Sequence, residues 1–244
     1  MPNIPAAAPT AICFDLDDTL IDDSAASSTG LRAVMERIGH PDFSAARTLW
    51  EVQTEISFGT YLRGKISLEQ QRRERIRALA VQAGRSDLVD QQCDDLYRLY
   101  LDAHRSGWQV FPDTHRALNA LASAGYRLAV VTNGVESLQH AKMQALELTP
   151  YFHTVVCADT AGAGKPDPRI FETAAQRLGV DPRACWHVGD QIQSDGVGAR
   201  AAHMHPVVID RRGGRGFEGV TMVSGLDELL HLVGLPTAAP SGVL

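Results

Sequence analysis

Short, nearly continuous apolar runs recur along the chain: AICF at 11–14, YRLAVVT at 126–132, TVVC at 154–157, ACWHV at 184–188 and PVVID at 206–210. Runs of this length without polar alternation are what a parallel sheet needs when both of its faces are covered. From the second run onward, helical patterns stand between them, over 136–146, 169–178 and 194–202. Strand and helix in alternation predict an α/β fold, a doubly wound Rossmann-like parallel sheet. The helix over 169–178 has a marked start, because Asp167 can cap it and Pro168 suits its first turn.

The alternation breaks between the first and second strands, where residues 21–112 read as helices with no strand among them. They predict an inserted all-helical module between two core segments, 1–20 and 113–235. Within the insert, Ser67-Leu68-Glu69-Gln70 has the form of a capping box opening a helix to about Ala83, and a further helix is expected over 87–101. Residues 115–124 return to the core as a helix, and 236–244 read as a frayed tail.

Polar residues gather where the strands end. Asp15, Asp17 and Thr19 follow the first run, and Thr132, Asn133 and Gly134 the second. Lys165 comes a little after the third, and Gly189, Asp190 and Asp195 follow the fourth. In an open parallel sheet these ends share one edge, and ligands bind there at the switch in strand order. The chemistry fits phosphoryl transfer. Asp15 is a candidate nucleophile, able to form an aspartyl-phosphate. Asp17 is a candidate acid and base for the leaving oxygen and for water. A hard cation, Mg²⁺, would join Asp15 to Asp190, with the backbone carbonyl of Asp17 and water completing its shell. Thr132 and the backbone amides of Asn133 and Gly134 would hold phosphoryl oxygens, and Lys165 would neutralise charge as it develops.

Composition narrows the classes. A net charge of -6 without a basic block argues against nucleic acid as a partner, and no apolar stretch approaches the length of a membrane span. The four cysteines form no C-x-x-C pair, so neither a disulfide framework nor a structural zinc site is expected. The setting expected by default is cytoplasmic, with the chain a monomer or homodimer acting on a small-molecule phosphate ester.

DLDDT at 15–19, TNG at 132–134, the lysine of GKPDPRIF at 164–171 and GDQIQSD at 189–195 resemble the four ordered motifs of the haloacid dehalogenase-like (HAD) hydrolase superfamily. The resemblance covers roughly residues 11–210. It implies a Rossmann-like core with a helical cap at 21–112, and a first strand lying between those that carry TNG and GDQIQSD. It also implies a phosphatase, because members that cleave carbon–halogen bonds need no acid two residues after the nucleophile and Asp17 is present. Asp195 then takes a supporting role beside Lys165 or a metal-bound water, and Thr19 either binds phosphate or closes the turn. The cap sequence resembles that of members acting on nucleotides, flavin mononucleotide or sugar phosphates.

Competing readings are a phosphomutase with the same motifs, a 2-haloacid dehalogenase, and a non-catalytic phosphate-binding or signalling module. Other patterns carry less. Gly214-x-Gly216-x-x-Gly219 has dinucleotide-fingerprint spacing but lacks the strand-to-helix context. His203 and His205 read as structural, and Arg72, Arg73, Arg75 and Arg77 as a solvated helix face.

Overall fold

The computed structural model describes residues 8–211, 213 and 220–237. The Gly214–Gly219 pattern and residues 238–244 of the expected tail lie outside them. Among the described residues two compact units emerge, one of residues up to Asp22 with those from Val110 onward, and the other Asp23–Gln109.

The first unit is built on six parallel strands: β1 (Ala11–Phe14), β2 (Arg127–Thr132), β3 (Thr154–Cys157), β4 (Cys185–Gly189), β5 (His205–Ile209) and β6 (Thr221–Val223). Their order is β3-β2-β1-β4-β5-β6, so β1 lies between the strands that carry TNG and GDQIQSD. All four residues of β1 are fully buried. Ile12 and Phe14 share a core with Leu118 and Leu121 of α5 (Thr114–Ser123) and with Leu226, Leu229 and Leu230 of α10 (Leu226–Leu232). Trp186 and Val188 join the same core, whereas His187 between them packs edge-on against Phe171 of α8 (Pro168–Leu178). Each face therefore has its own helical cover, which is why the strands read as unbroken apolar runs. The chain adds β2 and β3 on one side of β1 and then crosses to β4, which sets the switch point between β1 and β4.

Residues 21, 22 and 110–112 belong to this unit, because Ile21 bridges to Val110 and Phe111 N–H donates to the Leu20 carbonyl at 3.1 Å. Two elements differ from expectation. Residues 192–197 form a π-helical turn, followed by the short α9 (Gly198–Ala201), where one helix over 194–202 is predicted. Gly198, the first residue of α9, abuts Phe171 and Pro166, so that position admits no side chain. β6 and α10 have no counterpart in the pattern, since a three-residue strand is too short to register as a period.

The second unit contains α1 (Asp23–Ile38), α2 (Phe43–Leu62), α3 (Leu68–Gln82) and α4 (Asp90–Ser106). Ser67 Oγ accepts from Gln70 N–H at 3.1 Å to open α3. The core joins Leu31, Val34 and Met35 of α1 to Trp50, Ile76, Leu79, Leu96, Tyr97 and Tyr100. The arginine run of α3 divides by direction. Arg73 forms a fork with Asp94 at 2.6–2.7 Å and reaches Asp90, which Arg77 also pairs. Arg75 is not on a solvated face as expected: it is buried, its guanidinium 4.1 Å from the Trp50 ring centre and donating to Tyr97 Oη at 3.2 Å.

Helices α1 and α4 approach closely at Gly30, where a Cβ would lie 2.7 Å from the Tyr100 ring. Gly30→Val is expected to destabilise the protein by roughly 2 kcal/mol through overpacking, seen as a lowered midpoint in thermal or urea unfolding. An unchanged midpoint would show that the helix pair separates without cost.

Candidate active site

Asp15 extends the ladder one residue beyond β1, its N–H donating to the Val188 carbonyl at 2.8 Å. That bond fixes its side chain at the C-terminal edge, beside the loop that leaves β4. Lys165 Nζ donates to Asp15 Oδ1 at 2.5 Å and to Asp195 Oδ1 at 2.7 Å, and all three residues are buried. Asp195 Oδ1 also meets His187 Nε2 at 2.8 Å, while Oδ2 accepts from Gln191 N–H at 3.1 Å and Ser194 Oγ at 3.2 Å. A side chain at Gly189 would overlap the Asp195 carboxylate, so that glycine is what admits it. Thr19 is fully buried and its hydroxyl donates to Asp15 Oδ2 over a long 3.4 Å. Asp190 completes the group, and its carboxylate has no hydrogen-bond partner among the described residues.

A second network begins at the end of β2. Thr132 Oγ1 accepts from Gly134 N–H at 3.0 Å and from Gln139 Nε2 at 2.8 Å, which leaves its own hydrogen to donate. The same Gln139 nitrogen donates to Asp17 Oδ2 at 2.9 Å, and Lys142 Nζ donates to Asp17 Oδ1 at 2.6 Å. Asp17 is thus hydrogen-bonded to helix α6 (Glu136–Ala145) and tied through Gln139 to Thr132. A Cβ on Gly134 would overlap Gln139, so the glycine of TNG makes room for this contact. Asn133 joins the networks: its Oδ1 accepts from Lys165 N–H at 2.7 Å and its Nδ2 donates to the Lys165 carbonyl at 3.0 Å. Asp159 accepts from Glu136 N–H with both oxygens at 3.2 Å and so caps α6.

Gln139, Lys142 and His187 are absent from the expected site. No sequence signal marks the first two, because only the docked helix buries the face that carries Gln139, Lys142 and Met143. Polar residues three apart on a buried face need partners inside the fold. His205, by contrast, is taken up structurally, with Nε2 at 3.0 Å from Thr221 Oγ1 and its ring against Trp186.

The sequence model of the haloacid dehalogenase-like hydrolases matches residues 9–203. The chain belongs to that family. A curated relative, the glyceraldehyde 3-phosphate phosphatase of Methanopyrus kandleri, is 32% identical over 82% of this chain and 84% of its own length. Among solved structures, YfnB of Bacillus subtilis superposes with a TM-score of 0.82 at 20% identity, covering 94% of this chain and all of that one. A 2-haloacid dehalogenase of Pseudomonas syringae pv. Tomato gives a TM-score of 0.68 at 26% identity, over 93% of this chain and 98% of that one.

In this HAD hydrolase the acidic cluster fits a divalent cation. Carboxylate oxygens of Asp15, Asp190 and Asp195 lie within 4.8 Å of one another, an all-oxygen set of the kind hard cations take. Asp195 engages four donors against two on Asp15, one of them over a long 3.4 Å, which leaves Asp15 and Asp190 as the pair with more capacity to ligate. Burial raises the Asp15 carboxyl to about 7, further aided by Asp195 and Asp17 and opposed by Lys165. Burial and the neighbouring Asp15, Asp195 and Asp18 raise Asp190 to about 8. Asp195 is also desolvated, but Lys165 and His187 outweigh that and hold it far below its usual range. Burial would likewise depress Lys165, yet the two aspartates keep it well above the usual lysine value. His187 is held low by burial despite Asp195, so it stays neutral and donates through Nε2.

These shifts set the sign of a pH effect. Asp15 and Asp190 titrate near 3.8 when unfolded and near 7 and 8 when folded, so the folded state binds more protons between those limits. Stability of the metal-free protein is expected to fall as pH rises from 7 to 8.5, above the range where His187 and His205, held below 6.5 by burial, would act in the opposite sense, lowering Tm by roughly 5 °C, the effect of ~2 kcal/mol in a chain of this size. Asp190→Asn should flatten the slope, and a divalent cation should raise Tm more at pH 8.5 than at pH 5.5. A Tm that rises from pH 7 to 8.5 without metal would contradict this electrostatic account.

Proposed function

We propose that this chain is a Mg²⁺-dependent phosphatase that hydrolyses a small phosphate ester through an aspartyl-phosphate on Asp15. The observation that carries this reading is the arrangement of Asp17: two residues beyond Asp15, it is held beside the Thr132 hydroxyl with both oxygens hydrogen-bonded. A halide leaves carbon without a proton, whereas an alkoxide leaving phosphorus needs one. A group in Asp17's position has work to do only in the second case.

When bound between Asp15 and Asp190, Mg²⁺ would supply Lewis-acid stabilisation to the phosphoryl oxygens and screen the carboxylates from one another. The rest falls to the chain. Thr132 donates its free hydrogen to a phosphoryl oxygen. Asp15 attacks phosphorus through Oδ2, the oxygen whose only bond to Thr19 is long, while Lys165 holds Oδ1. As the new O–P bond forms, the ester P–O bond breaks and Asp17 gives its proton to the departing oxygen. Asp17 then takes a proton from water, whose oxygen attacks phosphorus and releases inorganic phosphate and the Asp15 carboxylate. Asp195 and His187 keep Lys165 charged and in place throughout.

The relatives point to short, polar phosphate esters, since they are named for glyceraldehyde 3-phosphate, phosphoserine and phosphoglycolate. We take residues 23–109, the all-helical unit, as the cap that the motif resemblance implies, the part expected to choose the leaving group.

Phosphate release should be measured against a panel of these three esters, sugar phosphates, nucleotides and flavin mononucleotide, with and without Mg²⁺. Activity should require the cation, and Asp15→Asn should lose roughly four orders of magnitude or more. Chloride should not be released from 2-chloropropionate. An Asp15→Asn protein with full phosphatase activity, or chloride release instead of phosphate release, would overturn the proposal.

A further inference from the structure

Helix α6 carries a buried polar pair that the hydrolytic chemistry above leaves without a task. Gln139 is fully buried and Lys142 nearly so, on the helix face that otherwise presents Met143 to the core. Burying an ammonium and an amide on a core-facing surface is unfavourable unless both are engaged. The Asp17 carboxylate, 31% exposed, is engaged by both: Lys142 Nζ holds Oδ1 at 2.6 Å and Gln139 Nε2 holds Oδ2 at 2.9 Å. With one donor on each oxygen, rotation about the bond that carries the carboxylate is blocked in both directions. Gln139 uses its second N–H on Thr132 Oγ1, so one amide sets the spacing between Asp17 and Thr132. Gly134 is the residue whose missing side chain lets Gln139 in, and Asp159 anchors the start of the helix that carries the pair.

We propose that Gln139 and Lys142 are positioning residues that aim Asp17 at the leaving-group oxygen and register it against the phosphate held by Thr132. The inference rests on the phosphatase reading and adds two residues to its machinery. Neither residue exchanges a proton with the substrate. Their contribution is geometric, and misplacement of an acid by about 1 Å is worth on the order of 10²-fold in rate.

The test compares esters whose leaving groups differ in their need for a proton. Alkyl phosphates require protonation of the departing oxygen, whereas 2,4-dinitrophenyl phosphate does not. Lys142→Met, Gln139→Leu, Asp17→Asn and the Asp17→Asn/Lys142→Met double variant are assayed on both, with folding followed by circular dichroism and thermal unfolding. The expected result is that Asp17→Asn and Lys142→Met each lose activity on the alkyl ester, Lys142→Met by roughly 10²-fold in kcat with KM little changed. Both should keep most of the rate of the first dinitrophenolate release, read as a pre-steady-state burst because water attack on the aspartyl-phosphate still needs the Asp17 base, and on the alkyl ester the double variant should be no slower than Asp17→Asn alone. Gln139→Leu should show the same selectivity and keeps the question open to measurement should Lys142→Met not fold. Equal losses of first-turnover rate on the two esters for the α6 variants, or a double variant slower than Asp17→Asn by the full Lys142→Met factor, overturn the positioning role. If Asp17→Asn itself fails to discriminate between the esters, it is the acid and base assignment of Asp17 that falls.

Discussion

An ammonium group buried between two carboxylates, Lys165 between Asp15 and Asp195, loses several kcal/mol of hydration per ion on leaving water. It is tolerable only where most of the remaining valences are met, and the surrounding residues meet most of them, with His187 Nδ1 left as a buried atom without a partner. His187 and the Gln191 amide satisfy Asp195, and Thr19 turns toward Asp15. Asn133 fixes the backbone of Lys165 with two hydrogen bonds. Gly189 gives up a side chain so that Asp195 can enter. Asp190 stands outside this settlement: its carboxyl is pushed up to about 8 by burial and its acidic neighbours, and a divalent cation would let it ionise.

The strand-end location of Asp15 follows from the sheet. β1 is central and buried on both faces, so its backbone is the most constrained in the unit. A carboxylate one residue beyond its last rung inherits that rigidity through the bond to Val188. The switch between β1 and β4 then brings Asp190 and Asp195 alongside, because the loop after β4 leaves the same edge. The fold supplies precision at the one place where mutual repulsion would otherwise drive the carboxylates apart.

The five longer strands were legible because each is a contiguous apolar run, and the residues following four of them marked the edge where the site would form. Asp15, Lys165, Asp190 and Asp195 do meet there. What the pattern withheld depends on direction, which periodicity does not record. Arg75 and Arg73 belong to the same basic run on α3, yet one stacks under Trp50 and the other forks onto Asp94. Gln139 and Lys142 look like ordinary surface residues until α6 is docked and their face is found to be buried. The π-helical turn at 192–197 leaves no mark in the apolar period, which does not record which hydrogen-bond register a helical turn adopts. Asp17 sits two residues from Asp15 in the chain, but its partners come from a helix more than a hundred residues later.

The amide of Asn133 has a consequence for how tolerances accumulate in the pocket. Thirty-two residues separate Asn133 from Lys165 along the chain, and small displacements in β3, α7 (Ala158–Ala161) and their loops would add up over that path. The reciprocal pair between the Asn133 side chain and the Lys165 backbone replaces the long path with a single short one. Lys165 is therefore gauged from the end of β2, the same datum from which Thr132 and, through Gln139, Asp17 are gauged. Insertions or sequence drift in the intervening segment can then be absorbed without shifting the lysine relative to the groups it works with.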